Sequence, residues 1–292
     1  MMSFGFIAAY TVLIAIGSVI EVPIARGFAS VQINLLIRLG GLAVAILALV
    51  IVHGAAVPTG PPALAGLGIG VLTGVGSIIY CLTLIDLPLS MAVVLSNLYV
   101  VITFLLGVTL LQESVTPLKI GGLALTLGGV LLLANPPSSR YAVHSATSVA
   151  KKAPPARAFL VMGGYIVIIG IGAFLEKPAL RGLDATQLNG LMAIAMTTVA
   201  LVAFAVEGPS VPKSLQSLGG LGVGAMVGVA SVSYFLGLRS LPVSVAAAAS
   251  NSYIVITVLL SSIVLHQPMT KARGGAIILT LVGVALLAVG PG

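Results

Sequence analysis

Apolar residues in this chain come in long unbroken runs, separated by short clusters of Gly, Pro, Ser and charge. A run of about 20 apolar residues is what a helix needs to cross the hydrocarbon core of a bilayer. A helix also satisfies its own backbone groups in lipid. Cut at the Gly, Pro and charge clusters, the runs predict ten transmembrane helices. They lie near 4–24, 31–52, 62–83, 88–111, 116–134, 158–178, 186–206, 217–238, 242–265 and 271–289. Ten-residue segments of alternating polarity, the mark of an outer-membrane barrel, do not occur. Short connections predict that consecutive helices are antiparallel neighbours. The exception is 135–157, NPPSSRYAVHSATSVAKKAPPAR, a polar linker rich in Pro, Ser and basic residues. It divides the chain into a first five-helix unit, 1–134, and a second, 158–292.

The two units are copies of one another. At an offset of 155, Tyr10, Gly17, Glu21, Pro23, Arg26, Gln32 and Asn34 meet Tyr165, Gly172, Glu176, Pro178, Arg181, Gln187 and Asn189. At an offset of 154, Gly66, Gly70, Gly74, Tyr80, Ser96, Asn97, Tyr99 and Gly129 meet Gly220, Gly224, Gly228, Tyr234, Ser250, Asn251, Tyr253 and Gly283. Polar and Gly matches are hard to obtain from apolar bias alone. Each unit has five spans, so the second copy enters the membrane upside down. The expected fold is therefore all-α, polytopic, with ten transmembrane helices as two inverted five-helix repeats. Many secondary transporters use this arrangement for alternating access around a midplane site.

Composition narrows the classes. Of 292 residues, 59% are hydrophobic and 7% charged, against about 25% charged in soluble domains. A soluble enzyme and a disordered chain are both excluded. The net charge of +7 comes from basic residues between the apolar runs, where they signal topology. No basic patch interleaved with aromatics marks nucleic acid. A single cysteine, Cys81, and three scattered histidines form neither a disulfide nor a metal cluster. No Ser/His/acid arrangement or catalytic carboxylate pair occurs, so no enzyme, cofactor or metal is expected. The N-terminus lacks a basic n-region and leads straight into a full span, which reads as a retained helix.

The repeated segments GSVIEVPIARG, GVGSIIYCLTLIDLPLSMAVVLSNLYVVITFLL and IGGLALTLGGVLLLA, with the copies GVASVSYFLGLRSLPVSVAAAASNSYIVITVLL and GGAIILTLVGVALLA, resemble the drug/metabolite transporter superfamily, and within it the EamA-type ten-helix proteins. The resemblance covers both units and leaves out the linker. It implies a carrier, export as the direction and both termini in the cytoplasm. The charge count points the other way. The side holding the N-terminus, side A, carries four basic residues in its loops, and side B carries eight, which favours termini outside. The expected location is the inner membrane of a prokaryote. Arg38 and Glu113 have no copies, since Ala193 and Gln267 stand in their places.

Ionisable groups inside spans default to functional candidates. Glu21 and Glu176 either snorkel beside Arg26 and Arg181 or titrate and couple protons to transport. The resemblance supports the second role for Glu21, because smaller relatives use a first-span glutamate in that way. Arg38, roughly 10 Å from side B at 1.5 Å per residue, offers a donor fork suited to a carboxylate. Its alternative is an ion pair with Glu21. Arg38 on a carboxylate and Glu21 on an ammonium would select a zwitterion such as an amino acid. Ser96, Asn97 and Tyr99, with Ser250, Asn251 and Tyr253, fall near the midplane and either bond helix to helix or cradle substrate. Tyr80 and Tyr234 would cap the cradle. Gln32/Asn34 and Gln187/Asn189 serve either as caps or as gate contacts, while Glu113 and Asp86 read as solvated helix ends.

The expected function is a secondary active exporter of small polar metabolites, amino acids or related zwitterions, working as a monomer by alternating access with protons as a further partner. Organic-cation efflux and lipid or lipid-linked-sugar flipping are the alternatives.

Overall fold

The computed structural model of the protein describes residues 2–24, 28–54, 56, 58–87, 92, 95–133, 155–207, 215–264 and 269–289. All the regular structure among them is helical. The first unit gives α1 (Met2–Ile24), α2 (Ser30–His53), α3 (Pro61–Asp86), α4 (Tyr99–Leu110) and α5 (Pro117–Leu133). The second gives α6 (Ala156–Ala179), α7 (Ala185–Glu207), α8 (Leu215–Leu238), α9 (Val243–Ser250), α10 (Tyr253–Val264) and α11 (Lys271–Val289). Among the described residues, seven stretches are long and apolar enough to cross a membrane, and α4 and α5 are shorter apolar helices. Ile51, Leu160 and Val206 are 72%, 77% and 84% exposed. Such an apolar exterior would be a liability in water and is the ordinary surface of a multi-pass membrane protein. Most of the predicted linker and of the start of the fourth span, 88–94, lies outside the described residues.

Local chemistry sets the helix ends. Gly54 closes α2 in the left-handed conformation (φ 59°), its N–H donating to Val50 O. α3 opens on Pro61 and Pro62, whose missing N–H groups would be unpaired there anyway. Gln32 and Gln187 act as caps: each side-chain Oε1 accepts from the backbone N–H three residues earlier, Ala29 and Asp184, at 3.1 Å.

The expectation that consecutive helices are neighbours is overturned. α1 packs mainly on α8 and α10, α2 on α7 and α8, α3 on α6 and α7, and α5 on α11; α2 and α3 barely touch. The reason is that lipid gives no hydrophobic drive for helix pairing, so backbones pair where small residues let them approach. A Cβ at Gly40 would meet Leu221 O at 2.1 Å, and one at Gly224 would meet Ile37 O at 2.2 Å. On α3, a Cβ at Gly70 would meet Met192 Cα at 2.7 Å. At the α5–α11 crossing, a Cβ at Gly129 would meet Thr280 Oγ1 at 2.2 Å, and one at Gly283 would meet Thr126 Oγ1 at 2.5 Å.

These seams also fix relative direction. Gly220, Gly224 and Gly228 meet Leu36, Ile37 and Val44 in rising order, so α2 and α8 run parallel. Gly66, Gly70 and Gly74 meet Leu191, Met192 and Val199 likewise, so α3 and α7 run parallel. Arg38 lies against Met196 and Thr197, and His53 against Asp184 and Thr186, so α2 and α7 run antiparallel.

The predicted ninth span is two helices rather than one. α9 stops at Ser250 and α10 starts at Tyr253. Ser252 N donates to Ala249 O and Ile254 N to Asn251 O, three residues back instead of four. The hydroxyls of Ser250 and Ser252 bond to Ala247 O and Ala249 O at 2.8 and 2.7 Å, competing for the carbonyls that continue the helix. The first unit has the same tightened turn, with Leu98 N on Leu95 O and Val100 N on Asn97 O.

Candidate functional site

A cavity of about 200 Å³ lies between the two units. α2 contributes Ile37, Arg38 and Gly41; α7 contributes Asn189, Met192, Ala193 and Met196; α6 contributes Ile169, Ala173 and Glu176. Tyr10, Thr73, Tyr99, Ser231, Tyr234, Phe235 and Ser250 complete most of the wall. The Gly seams of α2 on α8 and α3 on α7 hold these helices at fixed register, which positions the lining.

The cavity has two charged groups. Glu176 is 8% exposed, and among the described residues no donor is found on its carboxylate and no cation lies within ion-pair distance of it. The sequence alternative of a Glu176–Arg181 pair is therefore not what the chain adopts. Arg38 Nη1 reaches Met196 Sδ at 3.8 Å, and its buried Nε has no partner. Glu21 makes no ion pair with Arg38. Asn189 is 5% exposed, and its buried Nδ2 donates to nothing. A buried donor without an acceptor costs about 1–3 kcal/mol, so these atoms are poised for a ligand that accepts.

Of the residues singled out in the sequence, Arg38, Tyr99, Glu176, Tyr234 and Ser250 line this cavity. Glu21, Tyr80, Ser96, Asn97, Asn251 and Tyr253 are not among its lining residues. Tyr80 stacks on Tyr165 with ring centroids 5.3 Å apart, and their copies Tyr234 and Tyr10 stack at 5.1 Å. Asn251 accepts from the Tyr99 hydroxyl at 3.1 Å, a helix-to-helix bond between the units. Tyr10, Thr73, Asn189 and Ser231 are polar lining residues that the sequence reading leaves out of the site. Tyr10, Asn189 and Ser231 stand in the internal repeat, as copies of Tyr165, Asn34 and Ser77, and that is their signal. Asn34, the copy of Asn189, instead bonds to Ser77 at 3.4 Å.

Polar contacts join the units at side A. His53 Nε2 lies 2.6 Å from Asp184 Oδ2, tying the end of α2 to the start of α7. Asp184 Oδ1 also accepts from Thr186 N at 2.8 Å, Thr186 Oγ1 at 2.7 Å and Gln187 N at 2.9 Å. Burial pushes the Asp184 carboxyl up, but these hydrogen bonds and the nearby His53 outweigh it and hold it below the usual carboxylate range. Glu113 corrects the expectation of a solvated helix end. Its carboxylate accepts from Val243 N at 2.5 Å and from Ser244 N at 3.2 Å, and also bonds to the Ser244 hydroxyl. It thus caps the N-terminus of α9 from the opposite unit. Within the second unit, Lys177 Nζ donates to Leu238 O, Arg239 O and Leu241 O at 2.7, 3.0 and 2.7 Å. Asp86 likewise is paired, with Arg157 at 3.1 Å, at the other end of α3.

Residues 157–289 match the EamA-like transporter family. A solved structure described only as a crystal structure of a protein superposes with a TM-score of 0.78 at 19% identity, covering 98% of this chain and 95% of that one. At that identity the likeness speaks for the fold alone. No curated protein matches the sequence.

Proposed function

We propose, from the EamA-like transporter match over residues 157–289 and the resemblance to the drug/metabolite transporter superfamily, a secondary transporter that exports small zwitterions by alternating access. The observation that carries the substrate class is one cavity lined by both a carboxylate, Glu176, and a guanidinium, Arg38, neither of which is in an ion pair among the described residues. Opposite charges left apart in one slot are complementary to a ligand that brings its own pair. An ion pair of their own would have cancelled them more simply. The acidic partner in this reading is Glu176, in place of the Glu21 suggested by sequence.

Ten spans as inverted repeats fit the contact registers. α2 runs against α7, its copy, and α3 runs parallel to α7 while α8 runs parallel to α2. If α3 is the copy of α8, the two copies point in opposite directions, as rocking of one unit against the other requires. Export draws on a proton gradient, with Glu21 and Glu176 as the groups that exchange protons. The cavity is lined by residues of one chain, which favours a monomer, in a prokaryotic inner membrane.

Counterflow in proteoliposomes tests the substrate class without assuming a coupling ion. The probes are radiolabelled glycine, glycylglycine, choline and succinate. Exchange of a zwitterion that is lost in both Arg38→Ala and Glu176→Gln supports the proposal. Exchange of choline alone, surviving Arg38→Ala, overturns it in favour of organic-cation efflux. The aromatic wall of Tyr10, Tyr99 and Tyr234 would suit that reading, whereas the buried guanidinium opposes it.

A further inference from the structure

Resting on the zwitterion reading, we infer that the cavity takes a short peptide in preference to a single α-amino acid. The argument begins with the spacing of its two poles. Glu176 lies three residues before the end of α6, and Asn189 lies four residues after the start of α7. Both therefore sit about one turn below side A. Arg38 meets Met196, which is seven residues beyond Asn189 on α7, or about 10 Å further along the axis at 1.5 Å per residue. Charge-assisted contacts take up about 2.8 Å at each pole. The ligand's own charges must then stand about 4–5 Å apart by the same arithmetic. An α-amino acid carries both charges on one carbon and cannot stretch to this. A dipeptide adds one Cα–Cα step of about 3.8 Å and can bend to fit.

The second observation is independent of spacing. Asn189 Nδ2 is buried, lines the cavity and donates to nothing. Beside the pole that holds the ammonium, a peptide presents a carbonyl two atoms further on, which is the acceptor this amide lacks. Between the poles, Met192 and Ala193 offer an apolar wall for side chains. The ligand thus runs with its N-terminus toward side A at Glu176, its peptide carbonyl at Asn189 and its C-terminal carboxylate at Arg38.

Binding to the purified full-length protein, measured by calorimetry with glycine, glycylglycine and 5-aminopentanoate, tests this. The last has the length and charges of glycylglycine without the peptide group. Glycylglycine should bind at least 10-fold tighter than glycine, with 5-aminopentanoate between them. Asn189→Ala should erase the advantage of glycylglycine over 5-aminopentanoate. Asn189→Ser, smaller but still a donor, should retain part of it. Glycine binding as tightly as glycylglycine would overturn the inference and leave the zwitterion reading standing. An advantage over 5-aminopentanoate that survives Asn189→Ala would overturn the role of the amide. Failure of all three compounds, with choline or succinate binding, would overturn the zwitterion reading itself.

Discussion

The packing seams and the charged contacts of this protein obey different rules. On the α2–α8 seam, Gly220, Gly224 and Gly228 meet Leu36, Ile37 and Val44; on the α3–α7 seam, their copies Gly66, Gly70 and Gly74 meet Leu191, Met192 and Val199, the copies of those partners. The Tyr10–Tyr234 and Tyr80–Tyr165 stacks are also related in this way. The charged contacts have no such copies. Arg38, Glu113, His53, Asp184 and Lys177 correspond to Ala193, Gln267, Gly208, Ala29 and Val22, and the Asp86–Arg157 pair corresponds to Ser240 and Met2. Close backbone packing is duplicated because both units must present matching surfaces to each other. The charges in these contacts are not duplicated, although Glu21 and Glu176, and Arg26 and Arg181, are copies in sequence.

The seams should be the hardest part to disturb. Gly40→Val or Gly70→Val places a side chain where a Cβ alone already falls 2.1 Å from Leu221 O or 2.7 Å from Met192 Cα. Both should abolish the monodisperse peak in detergent gel filtration. Gly68→Val, with nothing within 4 Å of the new Cβ, should leave that peak intact. Equal damage from valine at Gly70 and at its copy Gly224, where a Cβ falls 2.2 Å from Ile37 O, is the part that tests the symmetry.

The charged contacts should respond one at a time. Arg38→Ala should weaken zwitterion binding by 10-fold or more, about 1.4 kcal/mol, while leaving the gel-filtration peak unchanged. Glu113→Gln should lower stability by about 1–2 kcal/mol, the scale of a charge-assisted bond at a helix N-terminus, read as a fall in Tm. Gln267→Glu, at the copied position, should not restore it.

Asp184 sharpens the comparison through pH. Its carboxyl sits below its usual range in the folded protein. Its contribution is therefore fully present above the unfolded value of about 3.9 and is lost as pH falls through the folded value. Asp184→Ala should cost about 1 kcal/mol at neutral pH, the ordinary cost of a lost helix cap. The difference from wild type should narrow below about pH 4, as thermal melts across pH 7 to 3 would show.

Much of this was legible in the residues. Apolar run length gave the helices, because a membrane imposes a length. The Gly and Tyr repeats marked the symmetric surfaces. The neighbour relations were not legible, since a short loop joins helix ends without obliging the helices to pack. The break at Asn251 was hidden because neither Pro nor Gly stands there; serine hydroxyls take the carbonyls instead. Glu176 and Glu21 look alike in sequence, yet only Glu176 lines the cavity. Which of two copied residues faces the cavity depends on the helices packed around each, and a repeat does not encode that. Glu113 was read as a loop residue because its partner, the start of α9, lies 130 residues away.

The central claim is that Glu176 and Arg38 hold opposite ends of one ligand. It is tested most directly with glycylglycine and 5-aminopentanoate, each free, methyl-esterified and N-acetylated, titrated against wild type, Arg38→Ala and Glu176→Gln. The account predicts that esterification weakens binding to wild type and to Glu176→Gln but not to Arg38→Ala. Acetylation should weaken binding to wild type and to Arg38→Ala but not to Glu176→Gln. Derivatives that bind wild type as tightly as the free zwitterions, or losses that ignore which residue was changed, would contradict it.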